Sequence, residues 1–569
     1  MKNLLTVLQR NLSLRAVGLR THRAKNAATG AKTGYARRVR RPAAQSCVLV
    51  AAVLLALCGV VSAETELYVT DTLAPQELSI KPLGGSPSTA ARIFASPGEY
   101  EPVSFALRPK ERLTAVMIRG GDLKGDAGAI PAANVRVRSV EGYHGKDRDI
   151  LMDLGRPWDM PALSKELFWV TVRAPEDARP GIYRGAVTVT SGERPVAALQ
   201  LELEVLPIRL EEPPFALGYN YSSPKDPAAL AAHLADMREH GMTTVAPLYN
   251  FHLPILDDDT SELGAFIEAY KKAGFRRPLY FATPMELGLN GLTGYGSVDS
   301  KRFQQKYIEV MRKLYAETQK HGVPVLFSIG DEFTNKGVKG VEFAGKLARF
   351  VYEEFPEIAT TSDMNGYREV LAMAPYLNVA TFNNGWDGID HHNEGRRLIN
   401  KGFLGELQAR TGAIPWLVNA DSGRLPFGFF FWKMAKYGVR GKVEWYYCLG
   451  RNEKGSVVRL DDGAIYPTLD YERSREGIDD LKYLCTLENM IARAKAAGKA
   501  ATEAKTAEAL LKKIADSILD DWTAYTQGGE VFPADGFDVL DPARTAGMGR
   551  YNSLRRALAE QIIAIQKAM

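Results

Sequence analysis

The sequence predicts a multidomain β plus α/β fold: an N-terminal antiparallel β-sandwich, then a (β/α)8 TIM barrel, then C-terminal helices. Three observations predict it. Apolar residues alternate with polar ones at period two up to about Glu212, the pattern of strands with one buried face. After that point strand-like and helix-like segments take turns eight times, the number that closes a parallel barrel. Pro207 and then Pro213-Pro214 separate the two patterns.

The segment ahead of the sandwich, residues 1–63, reads as a basic leader with a signal peptide. Arg37, Arg38, Arg40 and Arg41 precede an apolar run from Cys47 to Val61, and Val61-Ser62-Ala63 offers small residues for cleavage near Ala63. The run is short for a membrane span, which needs roughly 20 residues. An exported protein, periplasmic or extracellular, is therefore expected, without stable membrane insertion once the leader is cut. An uncleaved anchor is the alternative. Leu57 ahead of Cys58 argues against a lipoprotein.

The net charge of +5 belongs to this leader. Eleven Lys and Arg precede Glu64, the first acidic residue, which leaves 61 basic against 67 acidic residues in the body. A nucleic-acid partner is not indicated. Cys448 and Cys485 remain after cleavage, and a single disulfide or two buried thiols fit equally. Eight scattered histidines and the absence of a CxxC motif give no metal spacing, so no cofactor and no metal are expected. His391-His392 reads as a polar loop.

In the sandwich, residues 64–212, Phe168, Val170 and Val172 alternate with Trp169 and Thr171, and Leu199, Leu201, Leu203 and Val205 alternate with polar residues. Pro175 to Gly181 is a turn-rich connection. The barrel, residues 213–500, has predicted strands at 216–221, 243–247, 278–281, 324–329, 359–362, 378–382, 414–418 and 441–447. Helices are predicted between them, among them 301–321 and 393–409, with the last at 475–497 after a long loop. The extension, residues 501–569, reads as two helices split by 528–549.

Catalytic groups of such a barrel stand at strand C-termini and the loops after them. Strand four runs into Gly330-Asp331-Glu332. An Asp-Glu pair is ordinarily a solvated turn, but here it follows an apolar strand at the functional rim. The other rims supply Tyr219, Asn220 and Tyr221; Tyr249 and Asn250; Glu286; Asn383, Asn384, Trp386 and Asp387; Asn419, Asp421 and Arg424; and Glu444, Trp445, Tyr446 and Tyr447. Aromatics beside amides and carboxylates suit a sugar: its C–H face stacks and its hydroxyls take directed hydrogen bonds. Singly, each aromatic is better explained as barrel core, Trp445 above all; the whole ring of them is not.

Most glycosidases set two carboxyls across the scissile bond. Adjacent residues do not easily face each other across a sugar. They do suit hydrolysis of an N-acetylhexosaminide in which the substrate's own acetamido oxygen attacks. Glu332 would protonate the leaving oxygen and then activate water; Asp331 would hold the acetamido N–H and stabilise the oxazolinium.

Gly330-Asp331-Glu332, the stretch Lys433 to Tyr447, the run Arg475 to Leu484 and the turn Ala174 to Gly185 together resemble glycoside hydrolase family 123. The resemblance extends from about Ala91 to Leu484 and implies a sandwich before a barrel, β-N-acetylgalactosaminidase activity, and a glycan or glycoconjugate substrate. It places Asp331 and Glu332 on the acetamido-orienting and acid/base positions, and Asn383, Trp386, Trp445 and Tyr446 on the acetamido pocket. Tyr219 and Arg424 complete the expected substrate contacts. Phe333-Thr334-Asn335 stands where many relatives have a proline after the glutamate. Two other readings stay open: a conventional retaining glycosidase with Asp421 or Glu444 as nucleophile, and a non-catalytic carbohydrate-binding protein.

Overall fold

The computed structural model describes residues 65–70, 88–143, 146–248, 259–282, 295–385, 396–448, 455–526 and 550–569. All lie in one compact unit, Val61–Met569.

Twelve strands build the sandwich: β1 (Thr65–Thr70), β2 (Ala90–Ala95), β3 (Tyr100–Pro109), β4 (Leu113–Gly120), β5 (Leu123–Gly125), β6 (Gly128–Ile130), β7 (Val135–Tyr143), β8 (Lys146–Asp153), β9 (Trp158–Met160), β10 (Glu166–Arg173), β11 (Gly181–Ser191) and β12 (Arg194–Val205). One sheet has the order β1-β3-β10-β7-β8, the other β2-β12-β11-β4-β9 with β5 and β6 attached to β11. Pairing is antiparallel except where β2 runs parallel to β12. The predicted alternation holds: Phe168, Val170 and Val172 share one core with Leu199, Leu201 and Leu203. The opposite face of β10 is buried too. Trp169 packs against Leu469, at the start of the last barrel helix, so β10 is both sandwich wall and docking surface for the barrel.

The barrel strands are β13 (Ala216–Tyr221), β14 (Ala246–Pro247), β15 (Leu279–Ala282), β16 (Val325–Asp331), β17 (Thr360–Met364), β18 (Val379–Phe382), β19 (Ile414–Val418) and β20 (Gly441–Glu444). They pair in parallel in the order β14-β13-β20-β19-β18-β17-β16-β15. The ring closes where the Tyr280 amide donates to the Val245 carbonyl at 3.2 Å. Ala216, Ala246, Tyr280, Leu326, Val379, Trp416 and Val443 fill the lumen. Their strand neighbours, such as Leu217, Phe281, Phe327 and Leu417, pack outward against the helices. That parity decides which side chains can reach the mouth.

Helix starts follow capping chemistry. Asp226, Ser300, Asn400 and Thr468 each accept a first-turn amide through the side chain. Asn400 explains a correction: the helix predicted at 393–409 is Lys401–Thr411. Thr468 explains another, since the last barrel helix is Leu469–Ala497 and begins six residues before the predicted start. The long loop before it contains a hairpin, β21 (Val458–Asp461) with β22 (Ala464–Pro467). The tail forms helices Ala501–Ser517, Thr523–Thr526 and Arg550–Ala568. Cys448 and Cys485 are buried free thiols.

The helix Leu469–Ala497 is the seam of the molecule. A Cβ on its Gly477 would stand 2.4 Å from the Arg424 carbonyl oxygen, so only glycine allows this approach. Around that contact the Arg475-Glu476-Gly477-Ile478-Asp479-Asp480 run is buried. Arg424 donates to Asp480 at 2.6 and 2.9 Å. Arg555 of the C-terminal helix donates to Asp480 at 2.7 Å and to Glu101 of β3 at 2.8 Å. Arg138 of β7 pairs with Glu472. Among the described residues no helix is long and apolar enough to cross a membrane.

Candidate active site

The end of β16 is built by an irregularity in the strand. Ser328 is in register with Thr361 and Asp331 with Asp363, so three residues of β16 span two of β17. Without the extra residue, Asp331 would follow Phe327 and Ile329 toward the outer helix layer. The bulge turns it onto the lumen side beside Asp363. Gly330 fits because a Cβ there would lie 1.9 Å from the Phe333 ring. Glu332 has a left-handed backbone, φ 46°. Its amide donates to the Asp363 carbonyl at 2.7 Å and its carbonyl accepts the Asn335 amide at 3.0 Å.

Side-chain bonds then fix the acids. Asn335 Nδ2 donates to Glu332 Oε2 at 2.8 Å, and Asn365 Nδ2 donates to Asn335 Oδ1 at 3.2 Å. The second bond orients the Asn335 amide so that its N–H faces the glutamate. Tyr280 donates its hydroxyl to Asp363 Oδ1. Glu369, in the helix Tyr367–Met373, accepts from the Phe333 amide at 2.7 Å, the Thr334 hydroxyl at 2.6 Å and the Asn365 amide at 3.2 Å. It ties the loop after β16 to the loop after β17.

Burial dominates the electrostatics. Desolvation, then Asp363 and Glu332, push Asp331 up to about 8. Desolvation lifts Asp363 to about 7 against the Tyr280 hydrogen bond, and Glu369 to about 7. Burial also raises Glu332, partly offset by Asn335. Raised carboxyls at a barrel rim hold protons near neutrality, the condition for acid–base chemistry.

The parity of the strands sorts the other expected contacts. Asn383 continues the inward set Val379 and Thr381 of β18, and its Oδ1 accepts the Gly385 amide at 2.8 Å. Trp445 follows inward Val443; β20 stops at Glu444, one residue before it, and Trp445 is 40% exposed at the rim, not core. Its ring meets that of buried Tyr446 edge-on at 4.9 Å. Asn220 faces inward with Oδ1 unpartnered.

Tyr219 needs correction. It points outward, fully buried, with its hydroxyl on Ser422 and Ser474 at 3.0 Å each. Arg424 also needs correction: its guanidinium is committed to Asp480 in the seam and lies over the Tyr551 ring. Glu444 has the outward parity of Tyr219, its register partner, and accepts from Lys442 at 2.7 Å and the Ala420 amide at 3.0 Å. That removes it as a nucleophile facing the lumen. Asp421 is exposed on the loop after β19. Trp386, Tyr249, Asn250, Glu286, Asp387 and His391-His392 lie outside the described residues.

Sequence reasoning missed Asp363, Tyr280, Asn335, Asn365 and Glu369. Asp363 and Asn365 follow directly on the predicted strand 359–362, so the rim rule used for strand four points to them as well. Among the described residues no cluster of His, Cys, Asp and Glu has the arrangement of a metal site.

The folded chain superposes on a family 123 glycoside hydrolase from Clostridium perfringens, studied for glycolipid glycan hydrolysis, with a TM-score of 0.59 over 89% of this chain and 98% of that one. The two share this fold. Sequence identity is 12%. A GH2 β-galacturonidase from Eisenbergiella tayi and a family 39 glycoside hydrolase from Bacteroides cellulosilyticus align over 68% and 69% of the chain at 12% identity, with TM-scores of 0.33 and 0.34, below the level that establishes a common fold. No family model matches the sequence, and no curated protein does.

Proposed function

We propose that this chain is a retaining exo-glycosidase that removes terminal β-linked N-acetylgalactosamine from glycans, with the substrate's acetamido group as nucleophile. The observation that carries this is the bulge at the end of β16. It sets two adjacent carboxyls, Asp331 and Glu332, on the mouth of the barrel, with no inward carboxyl from β20 opposite them. The shared fold with the Clostridium perfringens enzyme supports a glycosidase reading.

In this reading Glu332, whose hold on a proton burial strengthens, gives that proton to the leaving oxygen while Asn335 holds its Oε2. The acetamido oxygen attacks the anomeric carbon, and ionised Asp331 accepts the acetamido N–H and stabilises the oxazolinium charge. Glu332 then takes a proton from the water that opens the ring. Trp445, half-exposed at the rim, offers the sugar a stacking face. In this reading the basic, apolar leader exports the chain.

The test is a pair of variants with one inhibitor. Glu332→Gln should lose hydrolysis of substrates with poor leaving groups, and Asp331→Asn should lose activity broadly. A thiazoline mimic of the oxazoline should inhibit the wild type competitively. Wild-type rates in both variants, or indifference to the thiazoline, would overturn the mechanism.

A further inference from the structure

The site contains a third inward acid that the scheme above does not use. Asp363 stands beside Asp331 in the β16–β17 ladder and on the same face, because the bulge flips Asp331 but leaves the parity of β17 intact. The groups that face it among the described residues are the Tyr280 hydroxyl from β15, Asp331 and Glu332 from β16 and the turn after it, Glu369 from the helix Tyr367–Met373, and its register partner Thr381 on β18. Three of these are carboxyls, and none is cationic. Asp363 is 8% exposed. Two neighbouring carboxyls, one buried and one half-buried, with no cation beside them do not readily both ionise near neutrality.

We propose that Asp363 is the proton partner of Asp331, a positioning residue that shares one proton with it and takes that proton over when substrate binds, leaving Asp331 ionised for the substrate's amide. Tyr280 sets the direction. Its hydroxyl donates to Oδ1 of Asp363, which favours the ionised Asp363 in the empty site, so the shared proton rests on Asp331 until substrate binds and Oδ2 of Asp363 is left to receive it. When the acetamido N–H arrives, the proton resides on Asp363 and the negative charge on Asp331. No proton enters or leaves the pair in this step, so Glu332 keeps its own for the leaving group. This role rests on the acetamido reading of Asp331; the shared proton itself does not.

The experiment is a carboxyl titration by NMR of the full protein labelled with 13C at Asp Cγ, in the wild type, Asp363→Asn and Tyr280→Phe, with Asp331→Asn to assign the signal. The wild type should show two coupled signals that titrate in two separated steps. In Asp363→Asn the Asp331 signal should titrate in a single step with its midpoint roughly one to three pH units lower. Tyr280→Phe should move it the same way by less, since Asp363 without its donor holds the proton more firmly. This variant keeps the test alive if Asp363→Asn does not fold.

With an aryl N-acetylhexosaminide, the acid limb of kcat/KM should follow the same shifts. Asp363→Ala, which has no donor to offer Asp331, should lower kcat more than it raises KM, and Asp363→Asn should recover part of that loss. An Asp331 midpoint unchanged in Asp363→Asn or Tyr280→Phe would overturn the proposal. Shifted midpoints in a protein that hydrolyses no N-acetylhexosaminide would instead overturn the acetamido reading and leave the shared proton standing.

Discussion

Two carboxyls in this chain, one buried and one half-buried, respond to lost solvent in opposite ways. Glu472, in the seam between sandwich and barrel, faces Arg475 and Arg138. Desolvation works to raise its pKa, yet the two guanidinium groups hold it well below the usual carboxylate range. Asp331, at the barrel mouth, faces Asp363, Glu332 and Glu369, and burial pushes it up to about 8. A carboxylate paired with arginines is a fixed charge that fastens elements together. A cluster of carboxyls without cations must hold protons, and held protons can be moved. The seam is the frame of the molecule and the mouth is its working part.

The sharpest way to break this contrast is to remove the mobile proton. Glu332→Gln should lower kcat on poor leaving groups by about 10²- to 10⁴-fold, while thermal unfolding stays near that of the wild type. Steady-state kinetics beside calorimetry reads both.

The seam should answer in reverse. Arg138→Met leaves Glu472 buried with one partner fewer and should cost about 3 kcal/mol of stability, with no change in the pH profile of turnover. Because Glu472 is depressed on folding, its contribution is present above the usual carboxylate range and is lost as pH falls through its folded value. Denaturant unfolding at neutral and at acid pH should show the variant's deficit shrinking on acidification.

A third substitution probes the turn that carries the acids. Gly330→Ala drives a methyl into the Phe333 ring, which should cost about 1–3 kcal/mol and lower activity, since the bulge and the Glu332 backbone depend on that packing. The smallest effect is expected from Asn335→Ala. The Asn335 hydrogen bond lowers Glu332, so its loss raises the acid, and the alkaline limb of kcat/KM should move to higher pH. A move to lower pH would contradict the assignment of Glu332 as the acid.

Local pattern made most of the frame legible. Strands 216–221 and 414–418 and helix 301–321 fall where periodicity placed them, because each buries one face and its spacing shows it. Asp331 and Glu332 were legible because they follow an apolar strand. What sequence could not show is parity through the barrel. Tyr219 sits at a rim, as expected, but on the outward face of β13, and Asp331 reaches the inward face only through a bulge that no local residue announces. Arg424 reads equally well as a sugar contact and as a structural cation; Asp480 and Tyr551, distant in sequence, decide for the second. Asn335 and Glu369 matter through partners on other loops, which spacing does not encode.

The most direct measurement compares two aryl β-glycosides that differ only at C2, one bearing the acetamido group of N-acetylgalactosamine and the other its free amine. If the substrate's amide supplies the attacking oxygen, the wild-type protein hydrolyses the first and leaves the second essentially untouched. Comparable rates on both would contradict it and require a nucleophile from the protein.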